Sequence, residues 1–176
     1  MRLHQIKVDF NAEHDRLLMR VSTSDAKEVL LWLTRRCVKL LWPAVVKMME
    51  SSPQVQLHAS TPEARAALLG FEHEKALQQA DFSKSYEDAP RERPLGAEPI
   101  LVARIQTRVE TENKFVLTML PLNGQGVHLT FDVALLHSFG KLVQSAVARA
   151  QWDFKIDLPD APPQLIAETS GERRLN

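Results

Sequence analysis

Histidine, cysteine and clustered carboxylates are the residues through which a chain of this size would do chemistry. Their spacing here assembles no recognisable reaction centre. The six histidines, at positions 4, 14, 58, 73, 128 and 137, form no H-x-x-x-H pair and none stands at ligand spacing from Cys37. Glu72-His73-Glu74 offers a carboxylate to orient an imidazole. Adjacent residues on a helix point in different directions, however, so this run reads as an exposed helix face. His128, between Val127 and Leu129, reads as the solvent side of a strand, and His137, beside Ser138 and Lys141, as a solvated helix face. Cys37 sits near a helix start, where the dipole favours a thiolate, but no base accompanies it and it reads as a partly buried structural thiol. Asp81 to Asp88 lacks the ligand spacing and glycine of a calcium loop. The six glycines match neither phosphate-cradling loop, and no G-x-S-x-G elbow occurs. No catalytic, cofactor-binding or metal-binding residue is therefore assigned, and the chain reads as a non-enzyme without a cofactor.

One local cluster remains. In Trp32-Leu33-Thr34-Arg35-Arg36-Cys37-Val38-Lys39, three bases fall in the first turns of a helix, where they oppose its dipole at about 0.3–1 kcal/mol per exposed charge. Residues 1–50 hold nine bases against six acids, while 51–96 and the tail from 153 each carry two more acids than bases. Carboxylates of the insert or tail could neutralise the cluster within the fold. Alternatively Arg35, Arg36 and Lys39, with Trp32, contact an acidic partner or phosphate.

The elements that must hold these residues follow from periodicity. Ile6, Val8 and Phe10 alternate with polar residues, as do Leu17, Met19 and Val21, and Val29, Leu31 and Leu33 form a third strand. Thr34 caps a helix whose apolar residues run from Val38 to Met49. The same order returns near the carboxyl end, with strands at 100–109, 114–120 and 127–131 and a helix capped by Asp132. A constant offset of 98 relates Leu17 to Phe115, Val29 to Val127, Leu31 to Leu129, Val38 to Leu136, Leu41 to Phe139 and Val45 to Val143. The first strands need a slip of about one residue. Between the halves, Thr61-Pro62-Glu63 starts a helix reaching about Gln79, with Ala64, Ala67, Leu68 and Phe71 as its apolar stripe. Residues 81–94 are polar and read as a mobile loop.

The sequence thus predicts an α+β protein: tandem, pseudo-duplicated βββα units, antiparallel sheets packed with helices, and a helical insert between the repeats. Residues 1–50 form the first unit, 51–96 the insert and loop, 97–152 the second unit, and 153–176 a Pro-containing, largely disordered tail, all within one compact domain. Leu18, Leu30, Trp32, Val116 and Leu120 are apolar yet fall on outward faces, which calls for a cover or a partner.

A repeated sheet-then-helix layout resembles single-strand nucleic-acid binders of the PUR and Whirly type, whose paired sheets bind bases. The resemblance lies in layout alone, since those families use four strands per repeat and no family motif matches here. The layout transfers no residues; on the sequence itself, a nucleic-acid binder would read phosphates with Arg35, Arg36 and Lys39, helped by Arg16 and Arg20 on one strand face and Arg104 and Arg108 on another. The 22 bases and 22 acids balance and aromatic residues are 6%, a poor composition for a stacking, charge-driven groove. A non-enzymatic protein-interaction module, an adaptor or accessory subunit, is the leading expectation. Single-strand nucleic-acid binding is the alternative. A protein partner is expected and a homodimer would cover an outward apolar face. With one cysteine, no signal-like segment and no apolar run of membrane length, no membrane partner is expected and a cytoplasmic location is.

Overall fold

The computed structural model describes residues 2–158, so the tail reading for 159–176 lies outside the described residues. Three strands open the chain, β1 (Leu3–Asn11), β2 (Arg16–Thr23) and β3 (Glu28–Leu33), followed by helix α1 (Arg35–Glu50). Two insert helices come next, α2 (Pro53–His58) and α3 (Pro62–Gln79). After an irregular linker come β4 (Ile100–Leu101), β5 (Arg104–Thr111), β6 (Lys114–Leu120), β7 (Val127–Phe131) and α4 (Val133–Ala150). The architecture is α+β, with two antiparallel-rich sheets packed with helices.

Helices α1 and α4 begin where the side-chain chemistry says they should. The Thr34 hydroxyl accepts from the Cys37 amide and the Asp132 carboxylate from the Leu135 amide, each satisfying a first-turn donor that has no partner within the helix. Pro43 lies inside α1, and the helix continues through it. Alternation fixes the registers: Val8 opposes Met19 and Met19 opposes Leu31 in the first sheet, and Val109 opposes Phe115 and Phe115 opposes Phe131 in the second. All twelve residues linked by the 98-residue offset are buried. They belong to one apolar core to which both sheets and helices α1, α3 and α4 contribute.

The helices exchange partners across that core. α4 lies along β1, the first strand of the other half, and α1 lies along β5. Each half therefore covers part of its neighbour's sheet as well as its own.

Residues 100–109, expected as one strand, divide between the two sheets. Ile100 and Leu101 pair in parallel with Leu31 and Trp32, making the first sheet four-stranded in the order β1-β2-β3-β4. The Val102 amide donates to the Trp32 carbonyl, and the next amide, of Ala103, donates to Leu120 in the second sheet. The apolar run Ile100-Leu101-Val102 is continuous with the alternation of β5, so composition alone gives no sign of the handover. The insert helix also presents a different stripe from that expected. Leu69, Gly70, His73 and Ala76 are its buried residues, while Leu68 and Phe71 are half-buried. A histidine inside the stripe hid it from a reading that counted only apolar side chains.

The linker is tied down at a buried carboxylate. Glu28 is 2% exposed, on the same face of β3 as Leu30 and Trp32. Its Oε1 accepts from Arg20 Nε and Nη2 at 3.2 and 2.9 Å and from the Tyr86 hydroxyl at 2.8 Å. Its Oε2 accepts from Arg93 Nε and Nη2 at 3.0 and 2.9 Å. Burial pushes the Glu28 carboxyl up, but the hydrogen bonds from Tyr86, Arg20 and Arg93 outweigh it and hold it below the ordinary glutamate range. The Glu28 amide donates to Glu92, whose own amide donates to Ala26. Residues 86–93, polar and almost without regular structure, are thus fastened across the outer face of the first sheet.

Candidate functional site

Four places in the fold gather polar or unpartnered groups. At the start of α1, the helix brings Arg35 and Lys39 onto one side, as i and i+4 neighbours. Arg35 pairs with Asp15 at 2.8 Å and with Asp153 at 3.7 Å, and its guanidinium lies 5.6 Å from the Trp152 ring. The Lys39 ammonium stands 4.8 Å from the Phe154 ring. Asp15 also accepts from the Trp152 indole at 2.8 Å, and that bond, with Arg35, holds its carboxyl below the usual aspartate range. The charges that oppose the helix dipole are therefore engaged by the β1–β2 turn and by the segment after α4. Asp15 closes the polar turn between β1 and β2, and its proximity to Arg35 depends on how the first hairpin folds over, which local spacing does not reveal. The Trp32 ring stands 5.2 Å from that of His14, and Arg36 is exposed.

The four strand arginines separate into two pairs on two different sheets. Arg20 is occupied by Glu28 and by Asp88 at 2.6 Å, and Arg16 is half-buried beside it on the strand. Arg104 and Arg108 are exposed on β5, where Arg108 stands 3.5 Å from Glu110.

His73 on α3 and His137 on α4 meet inside the protein, 6% and 0% exposed, with their Nδ1 atoms 3.1 Å apart. The sequence reading placed both at the surface, since neither stands in a motif and their pairing links residues 64 positions apart. Burial lowers the His73 pKa, and burial together with His73 lowers that of His137 to about 4. His137 Nε2 is buried without a partner. A bare ring nitrogen there costs less than an unpaired N–H, so the hydrogen-bond network assigns the His137 proton to Nδ1, donating to His73. Cys37 is also buried, and burial pushes its thiol up to about 12, far from a reactive thiolate. Among the described residues no three His, Cys, Asp or Glu side chains gather as a metal cage, and no helix is long and apolar enough to cross a membrane.

The fourth place is a strand edge. β5 flanks the second sheet, whose order is β5-β6-β7, and every β5 residue except Ile105 is exposed. Val109, on the face it shares with Ile105, is 49% exposed. The equivalent edge of the first sheet is guarded. Along β1 the Arg149 guanidinium donates to the Val8 carbonyl at 3.1 Å, and Gln5 exchanges hydrogen bonds with Ser85 and Glu87 of the linker. The other outer strands, β4 and β7, have two and five residues. Short or covered edges are how folded proteins avoid unwanted pairing, and β5 is the long one left open. No family model, curated protein or solved structure matches the chain.

Proposed function

We propose that this chain is a non-enzymatic protein-interaction module, built from two copies of a βββα unit, that docks a partner along the free edge of β5. The observation that carries the reading is this eight-residue strand, on which every side chain but Ile105 stays exposed although α1 lies along it, while the β1 edge is closed by Arg149 and the linker. An extended partner segment would add a strand there through main-chain hydrogen bonds. Three features support a duplication: the helix caps Thr34 and Asp132 share the 98-residue offset, the offset-related residues are all buried, and α1–β5 packing mirrors α4–β1. The unit boundaries of the sequence reading, 1–50 and 97–152, fit that mirror relation. The buried, neutralised His73–His137 pair and the inert Cys37 thiol support a role without catalysis.

Thr107→Pro tests the site, with Arg108→Pro beside it: successive amides alternate between β6 and the free edge, so one of the two substitutions removes a free-edge donor and leaves the β5–β6 ladder intact. The wild-type chain should retain a partner from a cell extract that the free-edge variant, identified by an unchanged circular-dichroism spectrum, releases. Equal retention by wild type and that variant would remove β5 as the docking element.

Single-strand nucleic-acid binding is the second reading, favoured by the exposure of Arg104 and Arg108. No Phe, Tyr or Trp accompanies them on the outer face of the second sheet, where Gln106, Lys114, Val116, Thr118, His128 and Thr130 stand, so bases would find only the His128 imidazole to stack on. In a fluorescence-anisotropy titration with a labelled oligonucleotide, no micromolar binding is expected at low salt. Binding that weakens steeply with salt and disappears in Arg104→Ala/Arg108→Ala would make this the leading reading.

A further inference from the structure

We infer that the partner at β5 is a second copy of the same chain, joined by antiparallel β5–β5 pairing with Thr107 at the two-fold axis; this rests on β5 being the docking edge. A two-fold axis perpendicular to a sheet keeps each face on its own side, so residues that oppose one another across it must share a face. On β5 the outer face carries Arg104, Gln106, Arg108 and Glu110, and the core-side face carries Ile105, Thr107 and Val109. That rule leaves only registers centred on a residue. Centring on Gln106 sets Arg104 against the copy's Arg108, and centring on Arg108 sets that arginine against itself. Like charges directly opposite are destabilising. Centring on Val109 carries the ladder through the irregularity between Val109 and Thr111.

Centring on Ile105 leaves only residues 104–106 of the strand paired. Centring on Thr107 opposes no like charges and keeps residues 105–109 clear of the irregularity, which only the terminal Arg104–Glu110 contact reaches. It opposes Arg104 with Glu110 of the copy, Gln106 with Arg108, Ile105 with the half-exposed Val109, and Thr107 with itself. Each opposite-charge contact occurs twice by symmetry. The ladder ends at the irregularity, which also keeps further chains from adding in a shifted register. The product is one continuous sheet in the order β7-β6-β5-β5-β6-β7, with no long open edge remaining.

Charge reversal on exposed residues tests the register without disturbing the core. Sedimentation velocity of the full chain, over concentrations from about 1 to 200 μM, should show a monomer–dimer equilibrium between 19.9 kDa and twice that mass. Glu110→Arg should weaken dimerisation about tenfold or more, as should Arg104→Glu. The double variant Arg104→Glu/Glu110→Arg should restore it. An equimolar mixture of the two single variants should form a heterodimer, because both of its charge contacts are then between opposite charges. A wild-type chain that stays monomeric throughout overturns the proposal, as does a dimer indifferent to these reversals. A monomer that still loses its extract partner on the free-edge proline substitution would overturn self-pairing and keep β5 as the docking edge. A monomer with no such loss would overturn both.

Discussion

Replacing Glu28 with alanine should cost about 3–5 kcal/mol of stability, the range for removing one member of a buried ion pair. The carboxylate is 2% exposed and accepts five hydrogen bonds, from Arg20, Arg93 and Tyr86. Without it, Arg20 keeps only Asp88 and sits largely buried beside a cavity, and its guanidinium can neither lose its charge nor easily reach water. Glutamine does not rescue the site, because its amide nitrogen would present donors to the donors of Arg93 or Arg20. The control is Arg93→Ala, whose side chain is 40% exposed and can be replaced by water at smaller cost. Urea unfolding of the three variants checks the order, and limited proteolysis between residues 81 and 94 should accelerate in Glu28→Ala. A loss below about 1 kcal/mol would mean that the linker is not held at this carboxylate.

Acid should destabilise the protein well above the range in which carboxylates protonate. His137 has its pKa lowered to about 4 by burial and by His73, whereas an unfolded histidine titrates near 6.5. The folded state therefore binds fewer protons than the unfolded state between these values. The stabilisation is present above pH 6.5 and is lost progressively as pH falls towards 4. From pH 7 to pH 4.5 the loss from this residue is about 2–3 kcal/mol. Geometry gives the same sign. One Nδ1 proton serves both rings at 3.1 Å, and a second would set two donors face to face. Around the pair, Lys141 also disfavours charge on His73, while Glu74 favours it less strongly than burial opposes it. Glu28 contributes with the usual carboxylate sign, its share being lost only below about pH 4.3, outside this window. Unfolding midpoints in urea at pH 7 and 4.5 measure the effect. His73→Leu/His137→Leu, which removes both partners together, should flatten the dependence. An unchanged slope in that variant would assign the acid sensitivity elsewhere.

Local signals were legible in the sequence and remote ones were not. Apolar spacing along the chain gave six of the seven strands, and the caps Thr34, Thr61 and Asp132 marked three helix starts. What escaped was set by partners distant along the chain. Ile100 and Leu101 join the first sheet because Leu31 and Trp32 leave an edge there. His73 is buried because His137 faces it. Arg20 reads like Arg104, a basic residue alternating along a strand, yet one is held by Glu28 and the other is exposed. The open edge left its mark only as the charged alternation of residues 104–110, which suits a solvent-facing sheet equally well. Which strand ends a sheet is decided by topology, and no residue of β5 encodes it alone.

The reciprocal placement of α1 on β5 and α4 on β1 has a consequence for cutting the chain. Scission in the linker near residue 96 would yield an amino-terminal fragment whose α1 lacks β5 and a carboxyl-terminal fragment whose α4 lacks β1. Each fragment would show the apolar stripe its counterpart normally hides, Leu41, Trp42 and Val45 on one and Leu136, Phe139 and Val143 on the other. Separately they would aggregate, and mixed they would complete one another. The protein is thus divisible in sequence and indivisible in stability, a natural pair for split-reporter complementation.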